Sequence, residues 1–541
     1  MKNRTIMLKL ICLGVVLCLL ASLPIFGCSP SKQVPSPAPE STPTKPSEPQ
    51  YGGTLRISRI GDAVVLGNPP TLSRHLCRMF ARTAIENLVY LDETGTPVPW
   101  LATGWQVDPN AKTITLTLRE GVKFHDGTDF NAEAVKWNIE QYIAGGRPEL
   151  AKVTSVVVID NYTVRLNLSE NNSLIIPNLS TSAGMIISPT AYQKNGGKEW
   201  AEANPIGTGP FKFVSWERDV KQVYERFDDY WQEGKPYLDR IEWIIIADPM
   251  VQAAAFRKGD VDVIVDITPK EASTLQTEAR GDYKITTTSM PTHLWGLQLD
   301  SANPNSPYSD LRVRQAVWHA FDSEAITDAF GYGCWKPLNQ KAAPGSWTYN
   351  PDVKGYPYNP EKAKQLLSEA GYSDGFKTKI IGLNLPPNPE VMVAVQGYLR
   401  EVGIEAEVEA MERGRFDELM VGGAHWENAL MLVSASVVPD EFGLIHRLYG
   451  PQGVVTKRQA GRVLIPDEIQ DILEKAATTS DSDSVKKLIH QFQQMATDKY
   501  AVQLWIFATT GAAARYARVH DDGLYEVVFT HWTPQDAWIE K

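Results

Sequence analysis

The sequence predicts an α/β chain with more than one domain. Three observations lead there. The chain has 541 residues, more than one hydrophobic core accommodates. Strand-type alternation and helix-type periodicity both recur along it. The first half mixes alternating segments with helical ones, and the second half is mainly helical.

In chain order, Tyr51–Ile57 opens the body with a short strand. Thr113–Leu118 (TITLTL) and Tyr162–Leu168 (YTVRLNL) alternate strictly, as half-buried antiparallel strands do. Asp160-Asn161 supplies a turn before the second. Ile241–Ile246 (IEWIII) is continuously apolar and suits a central strand. Val313, Ala316, Val317 and Ala320 then fall at i, i+3, i+4 and i+7 of a helix. Asn359-Pro360-Glu361 combines an N-cap, a proline at the first helical position and an acid in the first turn. Ala363, Leu366, Leu367 and Ala370 form that helix's face, and Gly371 stops it. Asn388-Pro389-Glu390 repeats the start signal for a helix running to about Val402. Gly403 leads from it into the strand Ile404–Val408, half of a βαβ unit. Ile469, Ile472, Leu473 and Ala476 mark another helix, and Val485, Leu488, Ile489 and Phe492 one more. No repeat period is visible.

Lys2, Arg4 and Lys9 precede an apolar run from Leu10 to Leu23, the charge order and length of a secretory signal. The run closes on Ile25-Phe26-Gly27-Cys28, which resembles a bacterial lipobox. Residues 1–27 are thus read as a lipoprotein signal peptide and Cys28 as the lipidated first residue. An uncleaved anchor from Ile6 to Phe26 is the alternative. Either reading puts the body outside the cytoplasm and tethers it to the membrane. Residues 28–50 are rich in proline and serine and almost devoid of large apolar side chains, so they read as an extended tether.

A net charge of −11 without a basic run argues against nucleic acid. Only Cys77 and Cys334 lie in the body. A bond between them is permitted outside the cytoplasm, but two unrelated buried thiols is the favoured reading. There is no CxxC pair, GxSxG, HExxH, GxxxxGK[ST] or GxGxxG. Gly207-Thr208-Gly209-Pro210 reads as a tight turn, because Pro210 removes the amide donor a phosphate loop needs. His125-Asp126 reads as structural, and His425-Trp426-Glu427 lacks a further ligand at metal spacing. No catalytic residue, metal or cofactor is expected.

Five stretches carry a family resemblance. They are Pro99–Trp105 with Thr115–Gly127 (L-R-x-G-V-x-F-H-D-G), Asn204–Phe211, Asp310–Ala316 before Ala320-Phe321-Asp322, Tyr358–Tyr372, and Trp532–Trp538. In this order the sequence resembles the peptide/nickel class of extracellular solute-binding proteins, family 5, which serve ABC importers. The resemblance implies a type II periplasmic-binding-protein fold: two α/β lobes, a Venus flytrap, with an added subdomain in lobe I. It implies lobe I over 51–290 and 503–541, the subdomain at about 92–204, and lobe II over 291–502. It also implies a monomer that closes on a small solute, most readily an oligopeptide, and presents it to ABC permease subunits. An oligosaccharide, an opine-like compound, a metal chelate, a sensor role and a secreted hydrolase are the alternatives.

For the solute, the candidate residues lie in lobe II. Trp295 follows the first expected hinge. Trp426 precedes the apolar run Ala429–Val433, which leads into Ser434, Ser436 and Asp440. Ligands gather at the carboxyl ends of such strands, where small hydroxyls hydrogen-bond them. Peptide-binding relatives have a glycine-tryptophan followed closely by an aspartate here. This sequence has Leu432-Val433-Ser434-Ala435-Ser436, with Asp440 a few residues later.

Overall fold

The computed structural model describes residues 48–541 except 73–74, 93–94, 279–280, 289–290, 422–425, 437–440, 460 and 521–533. The signal-type segment, Cys28 and Asp440 lie outside the described residues.

The first sheet has seven strands in the order Tyr283–Thr287, Ala512–Tyr516, Val263–Val265, Thr54–Arg59, Arg240–Ile245, Lys221–Arg226 and Phe211–Glu217. Thr54–Arg59 runs parallel to both Arg240–Ile245 and Val263–Val265. The IEWIII segment thus stands inside the sheet, and Ile241 and Trp243 are fully buried in its core.

The second sheet has six strands in the order Trp335–Pro337, Gln503–Thr509, His293–Leu299, Ala429–Ser436, Phe376–Leu383 and Ile404–Met411. Phe376–Leu383 is parallel to Ile404–Met411 and to Ala429–Ser436. The helix Asn388–Glu401 is the crossover that such a parallel pair requires. Its start corrects the sequence reading. Pro387 takes the N-cap position without a side-chain bond, and Asn388 is the first helical residue, turned inward and buried. At Pro360–Glu369 the expected cap does form, with the Asn359 side chain accepting from the Lys362 amide at 2.9 Å.

Gln503–Thr509 also departs from expectation. The family resemblance places the return to lobe I at Gln503, whereas this strand pairs with His293–Leu299 in the second sheet. The chain re-enters the first sheet only at Ala512. The reason is burial: Gln503 through Ala508 are all buried, and an unbroken buried run needs an interior place between two strands.

A third, four-stranded antiparallel sheet orders Ala102–Asp108, Thr113–Leu118, Thr163–Leu168 and Val153–Asp160. TITLTL turns Ile114, Leu116 and Leu118 inward, against Val135, Ile139 and Tyr142 of the helix Ala132–Ala144. This sheet has a hydrophobic core of its own.

The motif around Phe124 fastens that subdomain to the first sheet's layer. The His125 amide donates to Gly207 O at 2.9 Å, and its Nε2 donates to Gly209 O at 2.8 Å. Asp126 accepts from the Ser188 hydroxyl at 2.6 Å. The pair is structural, each member holding a different segment. The glycine-rich turn is explained by close approach, since a Cβ on Gly207 would lie 2.3 Å from Ala84 O. Beside it the fully buried Glu86 carboxylate accepts from Trp100, Thr208, Tyr230 and Trp231 at 2.8–3.2 Å. Burial is the larger effect and pushes this carboxyl above the usual carboxylate range, while the four donors oppose the shift. Cys77 and Cys334 are both buried free thiols.

Candidate functional site

The three parallel strands of the second sheet end on one edge, at Leu383, Met411 and Ser436. The antiparallel strand His293–Leu299 begins on that edge. His293 is the register partner of Ser436, and Trp295 of Ser434. A cavity of about 220 Å³ opens here, with His293, Trp295, Asn388, Arg413 and Ser434 in its walls and Leu432 among its apolar lining.

Two of its lining residues carry unpaired polar atoms. The Trp295 Nε1 donor and the Asn388 Oδ1 acceptor are buried without a hydrogen-bond partner among the described residues. Such groups cost free energy until a water or ligand satisfies them. The Trp295 ring is held in place by stacking. It lies 5.9 Å from Phe507 at 18° between planes, and Phe507 lies 4.5 Å from Trp335 at 4°. Arg413 is exposed and tied only loosely to Asp417, at 3.7 Å.

The first sheet turns its own carboxyl edge toward this one. Arg59 ends the strand Thr54–Arg59, Asp266 follows Val263–Val265, and the two form an ion pair. Asp266 also raises the His293 imidazole's proton affinity. Burial is the larger effect and leaves His293 below the ordinary histidine range. Crossing segments between Thr287 and His293 and between Thr509 and Ala512 join the two edges.

Farther out the subdomain touches the second lobe directly. The Ser173 amide donates to Ala477 O at 2.9 Å, and its hydroxyl to Ala476 O at 3.1 Å. Leu174 is buried in the second lobe's core. Arg78 of the first lobe is lowered to about 10, chiefly by burial and then by Arg82, and Arg447 of the second lobe adds to the effect. Guanidinium groups of both lobes therefore share one neighbourhood.

The structure brings two of the sequence candidates, Trp295 and Ser434, together in the cavity wall. Ser436 sits at the exposed strand end opposite His293. Trp426 does not join them. It is 3% exposed, packed in the core beneath the sheet, and lines neither this cavity nor a larger one between the subdomain and the second lobe. Its position just before an apolar strand reflects burial of that strand's base. His293, Asn388, Arg413 and the Arg59–Asp266 pair escaped the sequence reading. Asn388 carried a signal, but one that read as a helix cap.

The family model for bacterial extracellular solute-binding proteins, family 5 (middle), matches residues 96–452. The chain is a family 5 extracellular solute-binding protein. The glutathione-binding protein GsiB of Shigella flexneri is 32% identical over 366 residues, covering 66% of this chain and 70% of that protein. NikA from Brucella suis, solved with Fe(III)-EDTA, is 26% identical with a TM-score of 0.77, covering 89% of this chain and 100% of that one. DppA from Helicobacter pylori, solved with the peptide STSA, is 24% identical with a TM-score of 0.72, covering 91% and 99%, and shows the fold alone. The family 5 fold is the two-lobed type II binding-protein fold with an extra subdomain, and its members are transport binding proteins, not enzymes. No helix among the described residues is long and apolar enough to cross a membrane.

Proposed function

We propose that this family 5 protein captures a short peptide between its lobes and hands it to the permease subunits of an ABC importer. The observation that carries this reading is the cavity at the carboxyl edge, where a buried donor on Trp295 and a buried acceptor on Asn388 lack partners. A peptide group offers one carbonyl and one N–H, the complement of that pair. Arg413 in the cavity wall favours a solute with a carboxylate. The GsiB relative is named for a tripeptide that has two carboxylates. Ser434 and Ser436 stand at the strand end, within reach of the solute's amino end, and Asp440 follows Ser436 by four positions in the sequence.

In this reading lobe I comprises 51–290 with the C-terminal return, lobe II the stretch between, and about 92–204 the subdomain. The solute contacts both lobes only when they are closed, so it favours closure by its differential affinity. A monomer suffices. Lipidation at Cys28 and the 28–50 tether keep the body near its permease.

The test is calorimetric titration of protein unfolded and refolded to remove any carried ligand, with glutathione, tri- to pentapeptides, Fe(III)-EDTA and oligosaccharides. A peptide or glutathione should bind, and Trp295→Ala should weaken it at least tenfold. Binding of a sugar or chelate with no peptide among the ligands would reject the reading. Membrane fractionation of Cys28→Ala, expected to release the protein, tests the anchor separately.

A further inference from the structure

A second and larger cavity, of about 490 Å³, lies between the subdomain and the second lobe. One wall comes from the four-stranded sheet and the segment after it: Trp105, Ile114 and Ile176. The facing wall comes from the second lobe: Trp347, Phe442 and Val485. The Trp347 and Phe442 rings meet edge to face at 6.3 Å. The charged residues of the lining, Asp483 and Lys486, come from the first turns of the helix Ser482–Gln494. Volume and apolar lining are those of a small-molecule compartment, and they exceed the carboxyl-edge cavity in both.

Two features tie this chamber to cargo. Its walls belong to opposite lobes, so an occupant touches both walls only when the lobes are closed, as the solute does. Phe442, which lines the chamber, also follows Ser436 of the solute-binding edge by only six positions in the sequence. We propose that the chamber is a specificity compartment that takes an uncharged aromatic or branched aliphatic group and closes over it from both lobes. The inference rests on the peptide-capture reading for the source of that group, which is a side chain of the cargo.

The physical basis is desolvation of apolar walls. When the lobes close without a suitable group, water stays against Trp105, Trp347 and Phe442, and closure gains less. A small or charged side chain leaves those walls unfilled. The chamber therefore sorts cargo by the hydrophobic group it carries, while the carboxyl-edge cavity holds backbone and carboxylate.

The test compares Ala-Phe-Ala, Ala-Ala-Ala and N-acetylphenylalaninamide by calorimetric titration. The native protein should prefer Ala-Phe-Ala over Ala-Ala-Ala at least tenfold. Ser482→Trp, which fills the chamber from an exposed position, should bring that ratio close to one, and so should Val107→Asp, which puts a charge on the exposed rim. A ratio near one in the native protein, or a ratio preserved in both variants, overturns the proposal. Binding of N-acetylphenylalaninamide without either tripeptide, lost in the two variants, would keep the chamber and reject peptide cargo. No binding of any of the three ligands would overturn the proposal together with the peptide-capture reading. Circular dichroism melts of both variants check that they fold.

Discussion

Lys341 shows how much a single residue can cost this fold. Its amine is buried with no hydrogen-bond partner among the described residues, 5.4 Å from the Trp505 ring centroid. A void of about 10 Å³ beside it also touches Tyr449 and Gln503, about the room one water needs. Burial lowers the amine to about 8, with Glu441 opposing and Arg447 reinforcing the shift. Below that value the amine is charged in both folded and unfolded chains, and the folded state carries the whole penalty, about 3 kcal/mol at 1.36 kcal/mol per pKa unit. Between about 8 and the ordinary 10.5 the folded protein binds fewer protons than the unfolded one, so stability rises with pH. Lys341→Met should therefore stabilise the protein by about 1–3 kcal/mol in urea titrations at pH 7, an advantage that shrinks as pH climbs toward 10.5. Destabilisation at pH 7 would show that the amine has a partner in solution. Nothing in the sequence around Lys341 signals this burial, because lysine in a loop ordinarily means exposure.

At the scale of elements, the contact between Ser173 and the helix Asp467–Thr478 is the feature with a function. The last carbonyls of a helix have no partner within it. Here Ala476 and Ala477 find theirs in the amide and hydroxyl of Ser173, on the opposite lobe. Opening the jaw exposes those groups to water and withdraws Leu174 from the second lobe's core. Ser173→Ala removes the hydroxyl and keeps the amide, so closure should lose about 1 kcal/mol. Solute affinity should fall about fivefold with the urea midpoint unmoved. Unchanged affinity would mean that this contact survives in the open form.

The elements themselves were largely legible. TITLTL is a strand over the stretch its alternation marks, and Asn359 caps the helix it announces. The failures share a cause. Asn388 has the same Asn-Pro-Glu signature as Asn359, yet Pro387 takes the N-cap position and Asn388 is buried inside the first turn. Gln503–Thr509 reads as an apolar strand from sequence, but which sheet takes it depends on strands more than 200 residues away.

For the whole molecule, the carboxyl edges of the two large sheets face each other, joined by two short crossings, and the subdomain arches over to touch the second lobe. A bound solute should lower the radius of gyration in solution scattering. At one hundred times its Kd it should also stabilise the closed protein by about 2.7 kcal/mol. A melting temperature that rises while the radius stays constant would point to binding without closure.

The sequence by itself determined the two-lobed class, the strand and helix types, and the neighbourhood of Trp295 and Ser434. Those properties follow from local periodicity, from turn and cap chemistry, and from motifs that hold the scaffold together. Only the tertiary structure decided that Trp426 is core, that Asn388 faces the cavity, that His293 lies under the field of Asp266, and that an apolar chamber spans the lobes. Each of these depends on which surfaces meet across the hinge. Burial and electrostatic proximity are properties of pairs of distant segments, and no window of sequence contains both members.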